Sequence, residues 1–192
     1  KQNVPFVIGN DHATPKFGGG SYDYVDYNAV MLFNPGENVI PPKPQMYFKM
    51  HLVPFTEYFP FDKMFPKLYQ KLLNGDTHMW EPGKDANLLN IGDFYFGTPV
   101  CFEDTFPNIS RKFVNNGAKA IVNLSNDTWS NSIPCQYQHL SMAVFRSVEN
   151  RISSVRATAS GQTCIIDING KVLKMAKPCE QTYLIGEFPI KD

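Results

Sequence analysis

The sequence contains no run of 18 or more apolar residues, no surplus of either charge and no closely spaced pair of cysteines. The first absence removes a membrane-crossing helix, and Lys1-Gln2-Asn3-Val4-Pro5 has none of the apolar core of a signal peptide, so the chain as given is expected to be soluble. The second removes an electrostatic footprint for nucleic acid: Lys plus Arg and Asp plus Glu both stand at 18. The third, with cysteines only at 101, 135, 164 and 179, argues against zinc or a dithiol redox pair; no metal and no cofactor is expected. A Cys135–Cys179 disulfide has no support in the spacing, and Cys164 reads as a core strand position. What remains is apolar and aromatic, 43% and 14% of 192 residues, enough for one packed domain over residues 1–192.

Strands and helices alternate. Val4 to Gly9 reads as a short strand, followed by a polar loop from Asn10 to Asp26 whose Gly18-Gly19-Gly20 lacks the Gly-Lys-Ser/Thr of a phosphate loop. Tyr27 to Phe33 reads as a buried strand, turned by Asn34-Pro35-Gly36-Glu37 into Gln45 to His51, which delivers Lys49 near its end. Phe59 to Leu73 is aromatic and then helical, with Phe61, Met64, Phe65, Leu68, Tyr69 and Leu72 on one face. A β-rich run spans Asn90 to Val100, and a helix with Pro107 in its first turn ends at Asn116-Gly117. Ala120 to Leu124 is a strand and Pro134 to Asn150 the longest helix, with Leu140, Ala143, Val144 and Val148 on its apolar side. Ile152 to Ala157, Thr163 to Ile168, Lys171 to Met175 and Thr182 to Phe188 follow as strands, the middle two joined by Asn169-Gly170. The class is α/β with a mixed sheet.

The chain centres on Gly97-Thr98-Pro99-Val100-Cys101-Phe102-Glu103-Asp104, a strand end that presents a cysteine before a helix N-terminus capped by Asp104 or Thr105. Unpaired backbone N–H groups there favour a thiolate and can hold an oxyanion. The plain alternative is a buried small hydrophobe. Lys49, between Phe48 and Met50, is either a desolvated ammonium that needs a partner or an edge-strand lysine in water. Glu57 is a solvated loop residue or that partner. Glu103 points to the same side as Cys101, to orient the site or to pair with Arg111 or Arg156. Asn126, Asp127 and Trp129 follow a buried strand, facing substrate or capping a turn.

Together these segments resemble the nitrilase (carbon–nitrogen hydrolase) superfamily, and within it the apolipoprotein N-acyltransferases. The likeness rests on Lys49-Met50-His51-Leu52-Val53-Pro54-Phe55-Thr56-Glu57-Tyr58, Cys101-Phe102-Glu103, Asn123-Leu124-Ser125-Asn126-Asp127-Thr128-Trp129, and Gln138-His139-Leu140-Ser141-Met142-Ala143 with Arg146, Glu149 and Arg156-Ala157-Thr158. It runs from about Tyr27 to Ile168. It implies an αββα sandwich with Cys101, Lys49 and Glu57 as catalytic residues, and Phe102, Glu103, Asn126 and Trp129 binding or orienting substrate. Phe102 stands where the acyltransferases carry tyrosine. His51, in this family, is not the base and is expected to hydrogen-bond in the core. The implied reaction moves an acyl chain from phospholipid to a lipoprotein through a Cys101 thioester, on the periplasmic side of a bacterial inner membrane. A soluble amidase, or an inactive fragment acting as a binding domain, are the alternatives. The family's general-base glutamate has no counterpart, since Glu37 is the one glutamate before Lys49. The domain's first strands and helices are therefore expected to be missing, and the isolated chain to need that piece, or a second copy, for turnover. The segment from Tyr58 to Trp80 is expected to project an apolar face toward a membrane.

Overall fold

A computed structural model describes residues 3–16, 24–36, 43–73, 79–130 and 132–190. Glu37, Gly18-Gly19-Gly20 and His78 lie outside them. Nine strands form two sheets among the described residues. The first is antiparallel, in the order β1 (Phe6–Pro15), β2 (Tyr24–Phe33), β3 (Gln45–Phe48). The second is mixed: β4 (Leu89–Ile91), β5 (Phe94–Gly97), β6 (Ala120–Asn126), β7 (Ser153–Ala159), β8 (Cys164–Ile166) and β9 (Val172–Met175), in that order. β5, β6 and β7 run parallel because helices connect them: α2 (Pro107–Asn115) between β5 and β6, and α3 (Ile133–Asn150) between β6 and β7.

The sheets share one core. Val30, Leu32 and Tyr47 of the first pack with Leu89, Phe96, Ala120 and Ile121 of the second and with Ile109 and Phe113 of α2. Gly9 of β1 sits against Leu124 of β6, so the two sheets face each other. Phe113 is fully buried, its ring 5.1 Å from that of Tyr47; a side chain of this size contributes roughly 1.5–3 kcal/mol by leaving water. α3 lies on β8 through Leu140, Cys164 and Ile166.

Several elements differ from the sequence expectation. β1 does not stop at Gly9 but continues to Pro15, because every residue of Phe6–Pro15 pairs with β2. It is an edge strand, so its polar residues face water and the missing donor of Pro15 costs nothing. The run from Asn90 to Val100 is a hairpin folded at Gly92 (φ +57) and Asp93, not one strand. Thr182 to Phe188 forms no strand: half-buried and exposed residues alternate, but no ladder receives them, and Tyr183 and Ile185 are exposed. β3 ends at Phe48, although Lys49 still donates its N–H to Asn28 O at 2.9 Å.

The helix in the aromatic segment, α1 (Pro66–Leu73), begins only at Pro66, and Phe61 to Met64 lie in turns before it. Phe55, Phe61, Met64, Phe65 and Leu68 are 44–69% exposed, so this arm does not pack wholly into the core. Its rings pack against one another instead, Phe59 lying 6.2 Å from both Phe61, edge-on, and Tyr69, stacked. A backbone strap closes the arm: Trp80 N–H donates to Glu57 O and Gly83 N–H to Lys49 O. Gly83 lies so close to Phe48 that a Cβ there would come 2.2 Å from its carbonyl oxygen.

Candidate active site

Cys101 opens a five-residue 3-10 helix, Cys101–Thr105, just beyond β5. Its φ is +50°, left-handed backbone that costs a residue with a side chain about 1–2 kcal/mol. Such a conformation persists only where the surroundings hold it. Asn123 on β6 supplies one hold, donating Nδ2–H to both Pro99 O and Cys101 O at 3.0 and 3.1 Å.

Glu103 supplies the second. In a 3-10 turn, neighbouring side chains leave about 120° apart, so Glu103 and Asp104 face opposite walls. Fully buried Glu103 accepts from Met50 N–H at 2.7 Å, His51 N–H at 2.8 Å and Val100 N–H at 2.8 Å, with Tyr47 Oη 2.9 Å from both its oxygens. Every partner donates, the pattern of an ionised carboxylate. Burial raises its pKa, and the N–H groups, the Tyr47 hydroxyl and the Lys49 charge offset that rise only in part. The Tyr47 phenol is raised by burial and then by the charge of Glu103. Glu103 thus ties the segment after Lys49 to the turn of Cys101, and pairs with neither Arg111 nor Arg156 among the described contacts.

Lys49 is 1% exposed, which rules out an edge lysine in water. Its Nζ lies 2.6 Å from Glu57 Oε1, and Glu57 also accepts from Val53 N–H at 2.7 Å and from Asn28 Nδ2 at 3.4 Å. An ion pair out of water is tolerable only with such additional bonds. A cleft of about 270 Å³ opens beside the pair, lined by Met50, His51, Leu52, Tyr58 and Pro82.

On the opposite wall Asp104 does not cap α2; Phe106 is the N-cap, without a side-chain bond, and Thr105 Oγ1 donates to Phe102 O. Asp104 is instead drawn inward by charge. Its Oδ1 lies 2.8 Å from His139 Nε2, and its Oδ2 pairs with Arg156 Nη1. His139 Nδ1 lies 3.1 Å from Asp127 Oδ1, which also accepts from Ser125 Oγ; Arg156 Nη2 stands 3.9 Å from Asp127 Oδ2, too far for a hydrogen bond. Burial raises the Asp127 carboxyl, but the His139 bond and charge, Ser125 and Arg156 outweigh it and hold it below its ordinary range.

Asp127 therefore faces the interior. Asn126 is exposed and its Oδ1 receives Thr128 N–H and Oγ1, a local turn; Trp129 projects at 66% exposure. Phe102 is 38% exposed, its ring 5.4 Å from that of Phe106. The His51 side chain is not in the core: it is exposed, its ring 4.0 Å from that of Phe106, because Leu52 takes the inward direction, and only its backbone N–H reaches Glu103. All four cysteines are free. Among the described residues no group of three or more His, Cys, Asp or Glu is placed to hold a metal ion. Sequence reasoning missed Tyr47, Asn28 and Asn123, and paired Asp104 with nothing. Tyr47 alone left a signal, its two-residue spacing from Lys49, which follows β3.

The carbon–nitrogen hydrolase family profile matches residues 1–192. The chain is 53% identical over 98% of its length to apolipoprotein N-acyltransferase 1 of Treponema denticola, and 47% identical over 98% to that of Treponema pallidum. It spans about a third of their length, 36% and 35%. Among solved structures, an amidase from Nesterenkonia superposes with a TM-score of 0.61 at 16% identity, covering 92% of this chain and 58% of the amidase, a likeness of fold. With two facing sheets, a cysteine on a strained turn and a buried Lys–Glu pair whose following segment Glu103 ties to that turn, the chain belongs to the carbon–nitrogen hydrolase family.

Proposed function

We propose that Cys101 accepts an acyl chain from a phospholipid and passes it to the N-terminal amine of a lipoprotein's lipid-modified cysteine. A base takes the thiol proton and the thiolate attacks the ester carbonyl; a C–S bond forms, the C–O bond breaks, and the lysophospholipid alkoxide leaves with the proton that the base held. The amine then attacks the thioester, C–N forms as C–S breaks, and the amine's surplus proton goes to a base while the thiolate is restored. Lys49 stabilises the oxyanion of each tetrahedral intermediate, and Glu57 fixes the ammonium. Neither Glu57 nor Glu103 is assigned as the base, since both are occupied by donors. Phe102 and Trp129, both exposed, and the Asn126 turn that precedes Trp129, are assigned to substrate.

The observation that carries the lipid reading is the arm, where Phe55, Phe61, Met64, Phe65 and Leu68 expose apolar surface a few residues from the buried Lys49–Glu57 pair. Such surface suits a bilayer, and the names of the relatives point the same way. No helix among the described residues is long and apolar enough to cross a membrane, so the arm would act at the bilayer surface, on the periplasmic side of an inner membrane. The test incubates the whole polypeptide with acyl-labelled phospholipid vesicles and reads the Cys101 peptide by mass spectrometry, then adds a diacylglyceryl-cysteine peptide. A thioester at Cys101 that is discharged onto the peptide amine is expected, and Cys101→Ala should form none. Hydrolysis of small amides without acyl transfer would replace this reading with an amidase.

A further inference from the structure

The inner face of α3 is polar where apolar side chains would ordinarily pack: Gln136, His139, Arg146 and Ser147 are buried beside Leu140 and Ala143. Two of these side chains reach the turn that carries Cys101. Arg146 Nη1 donates to Thr105 O at 3.0 Å, and His139 Nε2 meets Asp104 Oδ1 at 2.8 Å. His139 Nδ1 meets Asp127 Oδ1 at 3.1 Å on the other side. Carboxylates only accept, so a bond at each ring nitrogen requires a proton on both, and the ring is an imidazolium. The short turn receives no side-chain cap from Val100 and holds Cys101 at a positive φ, so beyond the Glu103 bond to Val100 N–H its geometry is set from outside.

The geometry points to His139 as a positioning residue: as an imidazolium bridging Asp104 and Asp127, it holds the Cys101 turn in its attacking geometry. The inference rests on the reading of Cys101 as nucleophile. The charged groups facing His139 are Asp104 from the turn, Asp127 after β6 and Arg156 from β7; Cys164 on β8 lies near Asp104 and Arg156, its thiol pushed by burial to about 11. Burial would lower the His139 pKa, but its bonds to Asp104 and Asp127 raise it to about 9. Loss of that proton removes one N–H donor and leaves two carboxylates facing a neutral ring. The turn then keeps its Arg146 and Arg156 bonds but loses one of the two bonds that make the histidine a bridge.

The test measures iodoacetamide alkylation of the whole polypeptide, resolved by site, from pH 6 to 10, with exposed Cys179 as internal reference. The ratio of Cys101 to Cys179 modification should hold steady through neutral pH and fall about tenfold or more between pH 8 and 10. His139→Gln, which cannot carry the charge, should lower the ratio about 10- to 100-fold at neutral pH and abolish the fall, since small misplacements of reacting groups cost that much. Asp127→Asn, which keeps an acceptor but drops the charge, should move the fall to lower pH and decides the matter if the histidine variant does not fold. A wild-type ratio flat to pH 10, with Asp127→Asn unshifted, overturns the inference, as does a folded His139→Gln with the wild-type ratio. Cys101 no more reactive than Cys135 in the wild type at neutral pH would overturn the acyl-transfer reading and this one with it.

Discussion

Two regions of the molecule invert the usual rule of burial in opposite senses. Around Cys101 the interior is charged: Lys49, Glu57, Glu103, Asp104, Asp127 and Arg156 are all at most 8% exposed. In the arm the surface is apolar, with Phe61, Met64, Phe65 and Leu68 between 44% and 69% exposed. Each inversion is costly to maintain in isolation, the first by desolvation and the second by hydration of apolar area. The difference lies in what offsets the cost. Every buried charge has charged or N–H partners, so removing one should damage the fold. The arm's exposed rings pack against one another, so polar replacements of Phe61 and Phe65 should leave the fold intact and change what the surface touches.

The sharpest break of that contrast is Glu103→Ala. It strands the Tyr47 hydroxyl and three backbone N–H groups, each costing roughly 1–3 kcal/mol once unpaired, so a loss of about 4 kcal/mol or more is expected in denaturant melts, together with loss of activity. A variant as stable as wild type would show that water reaches these donors. Lys49→Met comes next. It leaves the Glu57 carboxylate buried beside an apolar chain and should cost about 3–5 kcal/mol, while the double variant Lys49→Met/Glu57→Leu should regain part of that stability and no activity. Absence of regain in the double variant would mean that Glu57 is not the partner whose loss matters.

The third effect is on pH. The folded His139 pKa of about 9 exceeds the ordinary 6.5, so its contribution is fully present below pH 6.5 and disappears as pH rises through 9. Its size is on the order of 3 kcal/mol. Asp127, held below its ordinary range, contributes in the opposite sense, its part being lost as pH falls through its depressed pKa. Melting temperature against pH should decline on the alkaline side, and His139→Gln should flatten that limb. The smallest effect on stability belongs to the arm. Phe61→Ser/Phe65→Ser should shift it by no more than about 0.5 kcal/mol while vesicle co-sedimentation falls several-fold. A large loss of stability would show that these rings are core.

The sequence carried the parts of this picture that local patterns can encode. Lys49 at the end of β3, the strand before Cys101, the long α3 after Pro134 and the hairpin at Asn169-Gly170 all follow from short-range periodicity and turn chemistry. The polar half of β1 was illegible because an edge strand facing water has no apolar alternation to display. Thr182 to Phe188 misled for the opposite reason, alternating like a strand while no ladder edge receives it. In the site, the residues alone leave Glu57 either in water or beside Lys49, and it is the family resemblance that favours the pair seen in the structure. Asp104 and His139 are 35 residues apart and Asp104 and Arg156 are 52 apart, and nothing local marks a carboxylate that turns inward instead of capping the next helix.

The strap that joins Trp80 to Glu57 and Gly83 to Lys49 has a consequence for how this protein can diverge. It fixes both ends of the arm on the buried ion pair, so the chain between Glu57 and Trp80 is a closed loop whose entropy grows only logarithmically with its length. Doubling such a loop costs roughly 0.6 kcal/mol. Insertions, deletions and wholesale changes of composition in the arm are thereby insulated from Lys49, Glu57 and the Cys101 turn. On the acyl-transfer proposal, one reaction centre can be fitted to bilayers of different thickness, headgroup or curvature by rewriting the loop alone.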